Sequence, residues 1–258
     1  MIALNGRRVL ITRPAHQAEN LSCLIEQHGG IAVRLPAMAI IECPDLTAIQ
    51  KLLAQLDEFQ WLIFVSANAV NFALKANGGK IPEFKQKPRC VAIGKATANA
   101  LESAGLTVDL LPEQDYNSEA LLALPEMQAI QGQQVLIVRG EGGREHLADT
   151  LRARGAKVNY LNVYKRIIPS NNNADIIELL AQQKLDVITA TSGEILQNLL
   201  IMLGAEHHRQ LFTLPLVVVS DRVKHIAAEM GFKQIAVANS PSDQAILETV
   251  NQSNRGRA

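Results

Sequence analysis

Cysteine, aromatic side chains and net charge are all scarce in this sequence, and each shortage closes off a class of function. The 258 residues include three cysteines, Cys23, Cys43 and Cys90, set far apart, with no Cys-x-x-Cys pair and no histidine at ligand spacing. Neither a disulfide framework nor a zinc site is expected from them. Lysine plus arginine number 25 and aspartate plus glutamate also 25. No overall field therefore draws the chain to nucleic acid or to an anionic membrane, and any anion site must be local. No apolar run approaches the roughly 20 residues that span a bilayer. The first residues lack the charged and apolar regions of a secretory signal, so a cytoplasmic protein is expected. The six histidines show no His-x-x-x-His spacing, no serine or cysteine sits in a nucleophile elbow, and the carboxylates are scattered without an evident acid/base pair.

What the chain has in quantity is apolar residues, 48% of the total, enough core for one large or two ordinary domains. It also says the same thing twice. The stretch "GRRVLITRPAHQAENLSCLIEQHG" (6–29) lies over "GQQVLIVRGEGGREHLADTLRARG" (132–155) with no gap at an offset of 126 residues. Gly6, Val9, Leu10, Ile11, Arg13, Glu19, Leu21 and Gly29 meet Gly132, Val135, Leu136, Ile137, Arg139, Glu145, Leu147 and Gly155. Chance gives roughly one or two such identities in a window of this length. The correspondence continues, 61–74 over 186–200 and 89–106 over 215–232, which is the mark of a duplication.

Each copy alternates short apolar runs with longer amphipathic segments, the pattern of βαβ units on a parallel sheet. Strands are expected near 8–12, 31–35, 61–65, 90–94 and 107–111, and again near 134–138, 157–161, 186–190, 215–219 and 234–238. Five strands per copy suit an α/β protein of two flavodoxin-like lobes with a cleft, ligands binding at the carboxyl ends of the strands. Two further extended pieces, 36–44 and 162–169, each end at a proline before a polar helix start and are natural paired linkers. Consecutive lobes, and lobes that exchange their opening βαβ units, both fit this pattern.

The glycine-rich turn in "VLIVRGEGGRE" (135–145) invites a nucleotide reading, which fails on spacing. Gly143 is followed by Arg144 and Glu145 instead of the Lys-Ser/Thr of a Walker loop, and Glu145 stands where a Rossmann fingerprint needs its third glycine. What remains is a strand end, a turn lined by backbone N–H groups, a helix N-terminus and the neighbouring Arg139 and Arg144, a combination that suits carboxylates. Alternatively Gly140, Gly142 and Gly143 only permit a tight turn, and the repeated Arg13 and Arg139 only neutralise an acid of the fold. "VSANAV" (65–70) and "ATSGEI" (190–195) put Ser66, Asn68, Ser192 and Gly193 at helix starts, where capping and ligand contact compete. Gly94 and Thr97 occupy another strand end and first helical turn, matched by Ser220 and Val223 in the second copy. Tyr164 lies on a linker piece, either turning its hydroxyl to the cleft or anchoring the linker.

Together "VLITRP", "FVSANAV", "AIGKATANAL", "RGEGGREHLADTLRARGAKVNYLNVYKR" and "TSGE" resemble the uroporphyrinogen-III synthase family of the bacterial heme pathway, from about residue 7 to 248. The resemblance implies exchanged lobes of 1–37 plus 167–258 and of 38–166, joined by a two-stranded linker. It implies a lyase that cyclises hydroxymethylbilane, a linear tetrapyrrole rich in carboxylates, with inversion of ring D and loss of water through a spiro intermediate. No cofactor or metal is called for, and a cytoplasmic monomer in transient contact with the preceding pathway enzyme is expected, with no nucleic acid or membrane partner. Tyr164 and Thr97 match the family's linker tyrosine and first-lobe threonine and are the expected catalytic residues. Arg13, Ser66, Asn68, Gly94, Arg139, Gly140, Gly142, Ser192, Gly193 and Ser220 are the expected substrate contacts. A non-catalytic bilobal small-molecule binding protein is the competing reading.

Overall fold

A computed structural model describes residues 2–81, 84, 86–143 and 145–253. Among them run ten strands: β1 (Arg8–Ile11), β2 (Ile31–Arg34), β3 (Ala39–Glu42), β4 (Trp61–Phe64), β5 (Arg89–Ala92), β6 (Gln134–Gly140), β7 (Lys157–Ile167), β8 (Val187–Ala190), β9 (Leu216–Val218) and β10 (Ile235–Val237). The chain divides into two compact units, one of Met1–Ala39 with Ile167–Ala258 and one of Ile40–Arg166.

The first unit holds a sheet of order β10-β9-β8-β1-β2, all of its registered pairs parallel. The second holds β3-β7-β6-β4-β5, parallel from β7 through β5. Apolar runs such as Val9-Leu10-Ile11 and Trp61-Leu62-Ile63-Phe64 are buried throughout, because helices cover both faces of a parallel sheet. The two-residue period then sends alternate side chains to separate cores. Leu10, Ile188 and Leu216 pack on one face of the first sheet and Val9, Val187 and Val217 on the other. In the second unit Leu62, Leu136 and Val138 oppose Trp61, Val135 and Ile137 in the same manner.

β1 and β2 of the first sequence copy are thus built into a sheet with β8 to β10 of the second, while β6 and β7 join β4 and β5. The strand order reverses between β1 and β8, and between β6 and β4. In an open α/β sheet those are the points at which ligands bind.

The expected strand at 107–111 shrinks to one bridge, Val91 to Leu110. Asp109 is the reason: its carboxylate accepts from the Cys90 N–H at 2.7 Å, taking the place of a ladder carbonyl. The fifth strand of that sheet is instead β3, from the first linker piece, laid along β7. The second linker piece is no separate element either, since β7 runs on through Ile167.

Candidate active site

The reversal point of the second unit is shaped by an irregularity in β7. Arg139 pairs with Asn162 and Gly140 with Tyr164, so Val163 is an extra residue in the ladder. Upstream the alternation is regular, with Leu161 in one core cluster and Tyr160 against the opposite one. After the bulge Val163 and Tyr164 both join the cluster of Leu161. A bulge re-aims the side chain that follows it; without it Tyr164 would share the face of Tyr160.

Re-aimed in this way, Tyr164 is 2% exposed and lies directly on Gly140. A Cβ at that glycine would stand 2.4 Å from the ring, so only glycine fits there. The ring tilts against Phe72 with centroids 5.6 Å apart. The Tyr164 hydroxyl is 3.2 Å from Ser66 Oγ, and its carbonyl accepts from the Glu141 N–H at 2.7 Å. Ser66 is also the N-cap of helix Ala67–Ala76, accepting from the Ala69 N–H at 3.1 Å. Of the two roles the sequence left open to Ser66, the cap is made, and the same hydroxyl also meets Tyr164.

The glycine turn is held from beneath. Gly142 has φ +64°, a left-handed conformation that glycine adopts at no steric cost. Arg139 does not stand beside the turn, as the sequence suggested, but folds under it with 7% exposure. Its Nε donates to the Gly140 carbonyl at 3.2 Å and an Nη to Glu145 at 3.1 Å, while its guanidinium lies 4.5 Å from the Tyr160 ring centroid. Glu145 also accepts from the Tyr160 hydroxyl. That bond first, and the Arg139 and Arg152 charges after it, hold the Glu145 carboxyl below the usual carboxylate range. The equivalent Arg13 is likewise turned inward, 2.5 Å from Asp243, which also accepts from Asn20 at 2.6 Å. A guanidinium desolvated this far needs a counter-charge, so both repeated arginines neutralise acids of the fold. Arg144 lies outside the described residues.

The other expected residues stand at the carboxyl ends of strands within their own units. Ser192 follows β8 and caps Gly193–Leu203 through the Ile195 N–H at 3.2 Å. Ser220 follows β9 and caps Asp221–Met230 through the Val223 N–H at 3.4 Å. Gly94 opens helix Lys95–Ser103 with no side-chain cap, and Thr97, in its first turn, is 4% exposed. Asn68 is half-buried in the first turn of the helix that Ser66 caps. Tyr164 is brought against both Ser66 and Gly140. The sequence reading gave no role to Tyr160, Glu145, Arg152 or Asp243, although Glu145 repeats Glu19 and Tyr160 stands four residues from Tyr164.

A sequence profile described as "Uroporphyrinogen-III synthase HemD" matches residues 19–248. The chain belongs to the uroporphyrinogen-III synthase family. It is 33% identical to the uroporphyrinogen-III synthase of Escherichia coli K12 across 94% of this chain and 99% of that one. The Salmonella typhimurium synthase is 35% identical over the same shares. Among solved structures, a mutant uroporphyrinogen III synthase of Thermus thermophilus superposes with TM-score 0.68 at 16% identity, covering 96% of this chain and 98% of that one. The Helicobacter pylori 26695 enzyme gives 0.59 at 18%, covering 94% and 97%. These two likenesses speak for the fold. Among the described residues of this family member no helix is long and apolar enough to cross a membrane.

Proposed function

We propose that the protein cyclises hydroxymethylbilane to uroporphyrinogen III, inverting ring D and releasing water through a spiro intermediate. The observation that carries the chemistry is the Ser66–Tyr164 hydroxyl pair seated over Gly140 at the point where the strand order reverses. Ser66 Oγ accepts from the Ala69 N–H, and either hydroxyl of the Ser66–Tyr164 pair can donate to the other; with the Ser66 proton given to the Tyr164 oxygen, the phenol proton is free to be given onward. Such a chain of hydrogen bonds polarises its last member. Given to the departing hydroxyl as its C–O bond breaks, that proton completes a water molecule and leaves an electrophilic azafulvenium cation, which the substituted carbon of ring D attacks; the proton released when the rearranged ring D recovers its aromaticity returns to the Tyr164 phenolate. Because the same species closes unaided without inversion, the main task of the protein is to hold a conformation.

On this reading the turns bearing Ser66 and Asn68, Gly94, Gly140 and Gly142, Ser192 and Gly193, and Ser220 offer N–H groups to substrate carboxylates, with Thr97 a second hydroxyl near the chemistry. Arg139 acts through the glycine turn it holds, and Arg13 through its pairing with Asp243 beside the Gln17 carbonyl. The protein works without a cofactor, as a cytoplasmic monomer, on substrate released by the enzyme that makes it. The test is an assay with freshly made hydroxymethylbilane that separates isomers I and III. Wild type should give III, and Tyr164→Phe should form it at least about tenfold more slowly with the fold intact. Isomer I alone from wild type, as in buffer, would overturn the proposal.

A further inference from the structure

The two sequence copies allow an internal comparison. Glu19 and Glu145 are equivalent, and so are Arg34 and Tyr160, each facing the equivalent residue of the neighbouring strand, Ile11 or Ile137. In the first copy Glu19 pairs with Arg34 at 2.7 Å, both side chains well exposed, while Arg13 turns away to Asp243. In the second copy an aromatic ring replaces Arg34, and the arrangement changes. Arg139 at 4.5 Å and Arg152 at 5.2 Å both lie over the Tyr160 ring. Glu145 joins the Tyr160 hydroxyl to Arg139. A simple surface ion pair has become a four-membered lock built from β6, β7 and the two ends of the turn and helix between them. Ring stacking orients a guanidinium that a carboxylate alone leaves free to swing.

This lock sits on the turn that touches Tyr164. Arg139 donates to the carbonyl of Gly140, the residue on which the Tyr164 ring rests, and a Cβ at Gly143 would stand 3.1 Å from its terminal nitrogen. Tyr160 and Tyr164 belong to one strand, on opposite sides of the bulge. We propose that Tyr160 is a positioning residue for the reaction: it fixes Arg139 and Glu145 so that the Gly140–Gly143 turn keeps Tyr164 in place against Ser66. The inference rests on the synthase reading above and on the role given there to Tyr164.

Two variants test it. Tyr160→Phe keeps the stacked ring and removes the hydroxyl held by Glu145; Tyr160→Leu removes both, and if it fails to fold the first variant decides alone. Hydrogen exchange followed residue by residue should show the amide of Glu141, bonded to the Tyr164 carbonyl, opening about tenfold faster in Tyr160→Phe, with Leu136 to Val138 unchanged. Cyclisation kinetics should show kcat lower by about tenfold or more with KM within about twofold, the pattern of a misplaced catalytic group. Combined with Tyr164→Phe, the substitution should cost nothing further. A purely structural role would move none of these selectively. Unchanged turn exchange, or unchanged kcat, in Tyr160→Phe overturns the proposal while leaving an active wild type, and so the synthase reading, untouched. A wild type that makes no uroporphyrinogen III sinks that reading instead.

Discussion

A single methyl group placed on Gly140 should disable the site without touching any polar group. An ideal Cβ there stands 2.4, 2.6 and 2.9 Å from three carbons of the Tyr164 ring, whereas carbon atoms rest at about 3.5–4.0 Å. The ring, or the strand end beneath it, must therefore shift by about 1 Å or more. Neither side yields easily, since the ring is 2% exposed and packed on Phe72, and Gly140 is tied into the ladder opposite Tyr164. Overpacking of this kind costs about 1–3 kcal/mol, a fall in Tm of about 2–12 °C for a chain of this size. Displacing the hydroxyl from Ser66 by about 1 Å should slow turnover about a hundredfold, far more than the stability loss accounts for. Gly132→Ala is the control: its φ of +76° makes alanine strained, but nothing lies within 4 Å of the new methyl, so Tm falls by a comparable amount while turnover holds. Thermal melts paired with cyclisation kinetics decide the matter, and a Gly140→Ala protein with wild-type Tm and kcat would refute the packing argument.

Asp243→Asn leaves Arg13 without its charge partner, so Tm should drop by about 6–12 °C, from about 3 kcal/mol for breaking a largely buried pair; a drop under about 1 °C in a thermal melt would show the pair to be idle. Glu145, facing Tyr160, Arg139 and Arg152, has its pKa lowered on folding. It therefore adds stability above the usual carboxylate range and loses that contribution as pH falls through its folded pKa. The Tm gap between wild type and Glu145→Gln should close in acid, and a gap that widened there would reverse the assignment. Burial, with Asp109 nearby, pushes the Cys90 thiol up to about 11, so a thiol reagent at neutral pH should label the half-buried Cys23 and leave Cys90 unmodified until the protein unfolds. Labelling of Cys90 in the native state at the rate of Cys23 would contradict its burial.

Much of the fold could be read directly. Runs such as Val9-Leu10-Ile11 and Val135-Leu136-Ile137 have no polar alternation, which marks strands buried on both faces, and their recurrence at one offset revealed two sheets. Ser66 and Ser192 could be read as candidate caps because capping is a local interaction, spanning three residues, and Ser220 proves to be a third. Segment 107–111 misled because its alternation is that of a strand, while the Asp109 carboxylate, whose reach no periodicity encodes, takes over the ladder position.

The sequence by itself showed most of the strands, the duplication and the turns at the strand ends, all of them consequences of residues near one another along the chain. Tertiary structure alone decided that the opening units change sheets, that a bulge turns Tyr164 toward Ser66, and that Arg13 and Arg139 are spent on Asp243 and Glu145. The physical reason is range. Arg13 and Asp243 are separated by 230 positions, and a desolvated charge is satisfied by whichever carboxylate packing brings beside it, not by one its neighbours in sequence announce.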